Sequence, residues 1–235
     1  MCGRFTLTPE QMEHAAAMLN VTPSALYGDR YQPRYNIAPM QEHLVAHLER
    51  EERVIVPATW GLVNWWEPSR REGAKHINAR AETIDSRRPF RDAFRATRCI
   101  VPADGFIEWV GEVKARRPFW FHRPDREVFA FAGLYVESRL PSDAAPVTTF
   151  TIVTTQANAT VARVHDRMPV ILEDDDAIEE WLYAQQTPER LHALLRPAAE
   201  DFLVATAVST RVNSVQHDDP ACLDEAEPET QASLL

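Results

Sequence analysis

The first four residues, Met1-Cys2-Gly3-Arg4, carry the most reactive arrangement in the chain. A small second residue allows the initiator methionine to be removed, and Cys2 then bears a free α-amine and a thiol on adjacent carbons. The reference pKa is about 8 for the amine and about 8.5 for the thiol, so the amine keeps a useful neutral fraction at physiological pH. Such a 1,2-aminothiol suits aldehydes: the amine forms an imine and the thiol closes a five-membered thiazolidine ring. The plainer reading of Cys2 is the second residue of a fraying terminus.

Two further groups are of types that move protons. In Gly105-Phe106-Ile107-Glu108-Trp109 a carboxylate stands between apolar neighbours on a predicted strand. Alternation puts Glu108 on the face of Phe106, where desolvation raises its pKa toward the range of general acid–base work; on an open edge it is an ordinary surface glutamate. His165-Asp166-Arg167-Met168-Pro169 is a polar turn ahead of an apolar strand, and its imidazole is either a proton shuttle or a surface or capping histidine. In INARAET at 77–83, an extended backbone puts Asn78, Arg80 and Glu82 on one side, giving an amide and a guanidinium that can hold a phosphodiester. Trp60 reads as core. The adjacent Trp65 and Trp66 fall in a polar loop, where burial of both is hard and stacking on a base is the competing account.

These groups need a frame. At 235 residues, 45% hydrophobic and 26% charged, the chain is long enough for one soluble domain with a buried core. Short β-branched or aromatic segments at 42–48, 53–58, 98–103, 105–110, 118–123, 128–136, 147–155 and 202–208 predict strands. Thr8 and Gln11 form a capping box around Pro9 for a helix ending at Asn20; Asp174–Gln185 and Pro188–Leu195 predict two more helices. The class is α+β: a single domain with one curled, barrel-like antiparallel β-sheet and flanking helices. No window is apolar enough to span a membrane, and the N-terminus lacks the apolar stretch of a secretory signal, so a cytoplasmic protein is expected. Cys2, Cys99 and Cys222 are odd in number and far apart, which predicts three separate thiols and no metal site; no cofactor is expected.

The net charge of −10 taken alone argues against a nucleic-acid partner, but its distribution matters more. Six acids and no Lys or Arg follow His217, whereas the stretch from Arg70 to Arg98 holds nine bases against four acids. One face is therefore expected to be basic. Residues 1–220 are read as the domain and 221–235 as an acidic flexible tail.

Together MCGRF, RYNIAP at 34–39, WGLV at 60–63, INARAET at 77–83, RCIVPADGFIEW at 98–109, TIVTT at 151–155 and VHDRMPV at 164–170 resemble the SOS-response-associated peptidase family, the abasic-site processing proteins. The resemblance implies that Cys2 links covalently to an abasic site in single-stranded DNA, with Asn78, Glu108 and His165 completing the site. It places Arg4, Arg80, Thr154 and Arg167 against DNA and stacks Trp65 and Trp66 on bases. The implied protein is a monomer that shields lesions in the DNA damage response and associates with the nucleoid when DNA-bound. Its peptidase activity would be the removal of Met1, and an imine left unclosed would allow lyase cleavage of the strand. Two other classes share parts of the pattern. An N-terminal-nucleophile amidohydrolase also starts Met-Cys-Gly but gives INAR and GFIEW no role, and a non-covalent single-strand binder needs no free Cys2.

Overall fold

In chain order the strands are β1 (Phe5–Leu7), β2 (Arg34–Ile37), β3 (Glu42–Glu49), β4 (Glu52–Trp60), β5 (Asn78–Arg80), β6 (Arg98–Ala103), β7 (Gly105–Val110), β8 (Arg117–His122), β9 (Phe129–Ser138), β10 (Val147–Gln156), β11 (Arg167–Pro169), β12 (Ile171–Leu172) and β13 (Val204–Ala207). The helices are α1 (Met12–Met18), α2 (Arg91–Ala96), α3 (Ala159–Ala162), α4 (Asp175–Leu182) and α5 (Pro188–Leu194). These come from a computed structural model that describes residues 2–22, 32–112, 115–183 and 185–226.

The expected α+β architecture is present, with two sheets in place of one. The first orders β13-β8-β7-β1-β2; the second runs β10-β4-β3-β6-β9 and returns to β10, so it closes into a barrel that carries β5, β11 and β12 as short additions. Closure leaves the ring no free edge, which removes the template an open sheet offers for aggregation. The pairing is antiparallel except where β4 and then β5 run parallel to β10, matching Phe150 with Trp60 and Ile152 with Asn78. The chain thus leaves the barrel at Trp60 and rejoins the same strand at Asn78. The excursion between them carries Trp65 and Trp66.

Apolar faces of both sheets meet in the main core, and Ile107, Trp120, Val208, Val212 and Cys222 form a second, smaller cluster. Phe5 packs edge-on against Trp60 and Phe131 at 5.1 and 5.8 Å, and Phe106 stacks on Phe121 at 5.1 Å. Trp60 is fully buried as expected, its Nε1 donating to Ile77 O at 2.8 Å.

Local details depart from the sequence reading where a distant partner prevails over a local one. Thr8 does not cap: both its N–H and its hydroxyl donate to Asp104 Oδ2, at 2.7 and 2.6 Å, and a 3₁₀ turn at Pro9–Gln11 leads into α1 instead. Asn20 follows the helix with φ of 55°, the left-handed conformation asparagine tolerates. Asp174 and Thr187 cap α4 and α5 by accepting from Ala177 N and Arg190 N. The acidic C-terminal run begins as part of the body. Asp218 pairs with Arg34 and Asp219 with Arg211, Cys222 is fully buried, and Ala226 N donates to Ala207 O at 2.9 Å. The expected flexible tail therefore does not start at 221, and its remainder, 227–235, lies outside the described residues.

Candidate active site

Cys2 lies just before β1 and is fully buried in the core. Three contacts hold this first segment. Ile107 N donates to Arg4 O at 2.9 Å, continuing the pairing of β1 with β7; Asn78 Nδ2 donates to Cys2 O at 2.8 Å; and Asp104 accepts from Thr6 and Thr8. From Cys2 onward the segment is packed into the fold and is not a fraying end. Nothing in the sequence singles out Asp104, and its role becomes visible only once the β6–β7 turn meets β1.

Burial, and next the Glu108 carboxylate, push the Cys2 thiol well above its ordinary range, so it rests as a neutral thiol. Glu108 is 3% exposed on β7, and burial raises its pKa to about 7. Strand alternation and an apolar face make this acid half-protonated near neutrality, as its sequence context predicts. Asn78 holds its Oδ1 buried with no hydrogen-bond partner among the described residues. The same amide grips the Cys2 carbonyl, so this orphan acceptor lies next to the Cys2 backbone.

His165, in the turn between α3 and β11, accepts the Arg167 N–H on Nδ1 at 3.0 Å, which puts the ring proton on Nε2. Asp166 approaches Nδ1 at 3.0 Å but is 88% exposed, so burial dominates and holds the imidazole below its usual pKa. His165 lines two hollows. One, of about 350 Å³, is lined by Gly3, Arg4, Glu108, Trp109, Gly111 and Arg116; the other, of about 620 Å³, holds Arg80, Gln156, Asp166 and Arg167.

The four residues expected at the centre are thus brought together. The expected DNA contacts divide. Arg80 is exposed in the larger hollow, and Trp65 is 72% exposed, edge-on to Trp66 at 5.5 Å with Arg88 over the Trp66 ring. Arg4 is 7% exposed, its Nη1 donating to Asn36 Oδ1 and Val212 O at 2.6 and 3.0 Å, although its side of the strand borders the smaller hollow. Arg167 is engaged by both oxygens of Glu82 and donates to Thr154 O at 2.7 Å. Thr154, expected to touch DNA, is fully buried in β10 and instead holds Arg167. Among the described residues no helix is long and apolar enough to cross a membrane.

A fully buried thiol just ahead of β1, beside a carboxylate whose pKa burial raises to about 7 and an imidazole held below its usual value, makes up the candidate site. The chain belongs to the SOS response associated peptidase (SRAP) family, whose profile covers residues 1–215. It is 38% identical over 226 residues to the abasic site processing protein YoqW of Bacillus subtilis, covering 95% of this chain and 99% of that one. It is 31% identical to the abasic site processing protein HMCES of Gallus gallus, across 77% of that protein. A crystal structure of a protein from Bacteroides thetaiotaomicron superposes with a TM-score of 0.83 at 24% identity, over 96% of this chain and all of that one, which shows a common fold.

Proposed function

We propose that the protein, as a monomer, captures abasic sites in single-stranded DNA as a thiazolidine on Cys2, shielding the lesion in the DNA damage response. The observation that carries this is the buried Cys2, its carbonyl held by Asn78 and its thiol raised by burial and then by the Glu108 carboxylate, which with His165 lines a hollow; His165 also lines the hollow that holds Arg80. Family membership and relatives named for abasic-site processing point the same way.

Loss of Met1 frees the Cys2 amine, for which the unpartnered Asn78 Oδ1 is a ready acceptor. The amine adds to the C1′ aldehyde of the ring-opened sugar to give a carbinolamine. Glu108 then donates a proton to the departing hydroxyl, neutral His165 takes the proton that leaves nitrogen, water leaves, and an imine forms. The thiol adds across the imine carbon, its proton passing to nitrogen, and the ring closes with one water released overall. A thiol held neutral suits this order, amine first and sulfur second. An imine not captured by sulfur is open to β-elimination, so thiol closure competes with lyase cleavage.

The test is a denaturing gel and intact mass after mixing purified protein with an oligonucleotide bearing one abasic site. A stable adduct with the mass of Met1-less protein plus oligonucleotide is expected. Cys2→Ala with Met1 removed should give only an imine, trappable by borohydride, while an uncleavable N-terminal extension should abolish trapping as well. A stable adduct from the extended protein, or from DNA without the lesion, overturns the mechanism, and binding without any adduct leaves the non-covalent class.

A further inference from the structure

Two of the three arginines assigned to DNA by the family resemblance are engaged internally, Arg4 by Asn36 and Val212, Arg167 by Glu82 and Thr154. Arg116, which no sequence motif marks, is placed differently. It borders the same hollow as Glu108 and His165, is half-buried, and has no carboxylate partner among the described residues. Its guanidinium lies 4.8 Å from the centre of the Trp109 ring, and that of Arg4 lies 5.6 Å from the same ring. The ring itself is fixed, because Trp109 Nε1 donates to Asn213 Oδ1 at 2.6 Å.

Two guanidinium groups therefore converge on one tryptophan that lines the hollow. The only acid lining that hollow among the described residues is Glu108, buried at its floor. Like charges so placed cost free energy, and the cost is felt: burial and then the Arg116 charge lower the pKa of Arg4. An anion entering between them would relieve it. A planar guanidinium held against an aromatic face keeps its edge N–H groups free for bidentate binding of phosphate oxygens.

We infer that Arg116, stacked on Trp109, binds a backbone phosphate of the captured strand, on the opposite side of the reacting sugar from Arg80. The two arginines line different hollows, and His165 lies on the wall common to both. A strand held by both would pass over His165 and Glu108, presenting one sugar to Cys2. The contact is to phosphate and so carries no sequence preference. The inference rests on the proposal that this site takes DNA.

Binding is measured with an oligonucleotide carrying a tetrahydrofuran abasic analogue, which lacks the aldehyde and so reports docking alone. Arg116→Ala should weaken binding and flatten the slope of log affinity against log salt by about 0.7, the value for one phosphate left unneutralised on a single strand. Arg116→Met keeps an unbranched stem on Trp109 and should do the same, which guards against a packing defect in the alanine variant. Single methylphosphonate replacements along the strand then locate the contact. Sensitivity to Arg116→Met should vanish when a phosphate on one side of the analogue is neutralised, and sensitivity to Arg80→Ala when one on the other side is. An unchanged salt slope in Arg116→Met, or both sensitivities vanishing on the same side, overturns the inference while wild-type crosslinking still stands. Failure of the wild type to crosslink or to bind the analogue removes the underlying proposal instead.

Discussion

Glu108 is a carboxylic acid that its surroundings make weak: nearly all of its surface is covered, and its pKa is raised to about 7. The sign of its effect on stability is the reverse of the usual carboxylate. An unfolded glutamate ionises near pH 4.3, so between there and about pH 7 the folded state holds the extra proton and stability falls as pH rises. Glu108→Gln should therefore melt no lower than wild type at pH 8, and the gap between their melting curves should narrow as pH is lowered. Its crosslinking should be slower by about 100- to 10,000-fold with docking retained, as for loss of a general acid. Wild-type rates should rise with pH as the Cys2 amine loses its proton and turn down above about pH 7 as Glu108 ionises. Stopped-time gels across pH 5–9 check this, and a downturn that survives in Glu108→Gln belongs to another group. Glu108 was legible in sequence because alternation is a local signal. Thr154 was not: its burial is decided by strands that flank β10 from elsewhere in the chain, and the partners of Arg4 include Val212, far along the sequence.

At the scale of elements, the site depends on how firmly β1 is anchored. Asp104, buried in the turn between β6 and β7, accepts from the Thr6 hydroxyl and from both donors of Thr8, while Thr6 Oγ1 also receives Trp120 Nε1 at 3.1 Å. Asp104→Asn replaces one acceptor oxygen by a donor and leaves a buried partner unmatched, costing about 1–3 kcal/mol. The variant should melt lower and crosslink more slowly although Asp104 touches no part of the reacting hollow. Hydrogen exchange should show the amides of residues 5–8 opening more often, and unchanged protection there would mean that β1 is held without this carboxylate. The longer strands were read from sequence to within a few residues, since their pairing repeats an alternating pattern. The short ones, β1, β2, β5 and β11, have three or four residues each and carry too little pattern to stand out; they are strands because the sheets offer them an edge. It is these short elements that bring Cys2, Asn78 and Arg167 to the site.

Over the whole molecule, charge and packing divide the C-terminal run differently from its composition. Asp218 and Asp219 are neutralised by Arg34 and Arg211, and the backbone of 224–226 extends the first sheet through the bonds of Ser209 N to Asp224 O and Ala226 N to Ala207 O. Deleting 221–235 should therefore lower the melting temperature, by about 2–4 °C for each kcal/mol of stability removed in a chain of this size. A melting curve identical to wild type would show that Cys222 and its neighbours add nothing to the body. Neutralising only Glu227 and Glu229 as glutamines should leave DNA affinity the same or tighter, because acids can only repel phosphate, and filter binding at low salt would reveal any loss.

The placement of Cys2 inside the core has a consequence for how long a captured lesion stays covered. Under the proposed chemistry the bond to DNA is anchored on a residue that the fold itself encloses, with β1 held between β2 and β7. Once the captured sugar fills the hollow that admitted it, water and bases reach the ring from the protein side only when that strand lifts away, so the lifetime of the cap depends on the protein as well as on the thiazolidine. Heat, denaturant or a machine that pulls on the chain would then act as the timer for uncovering the damage.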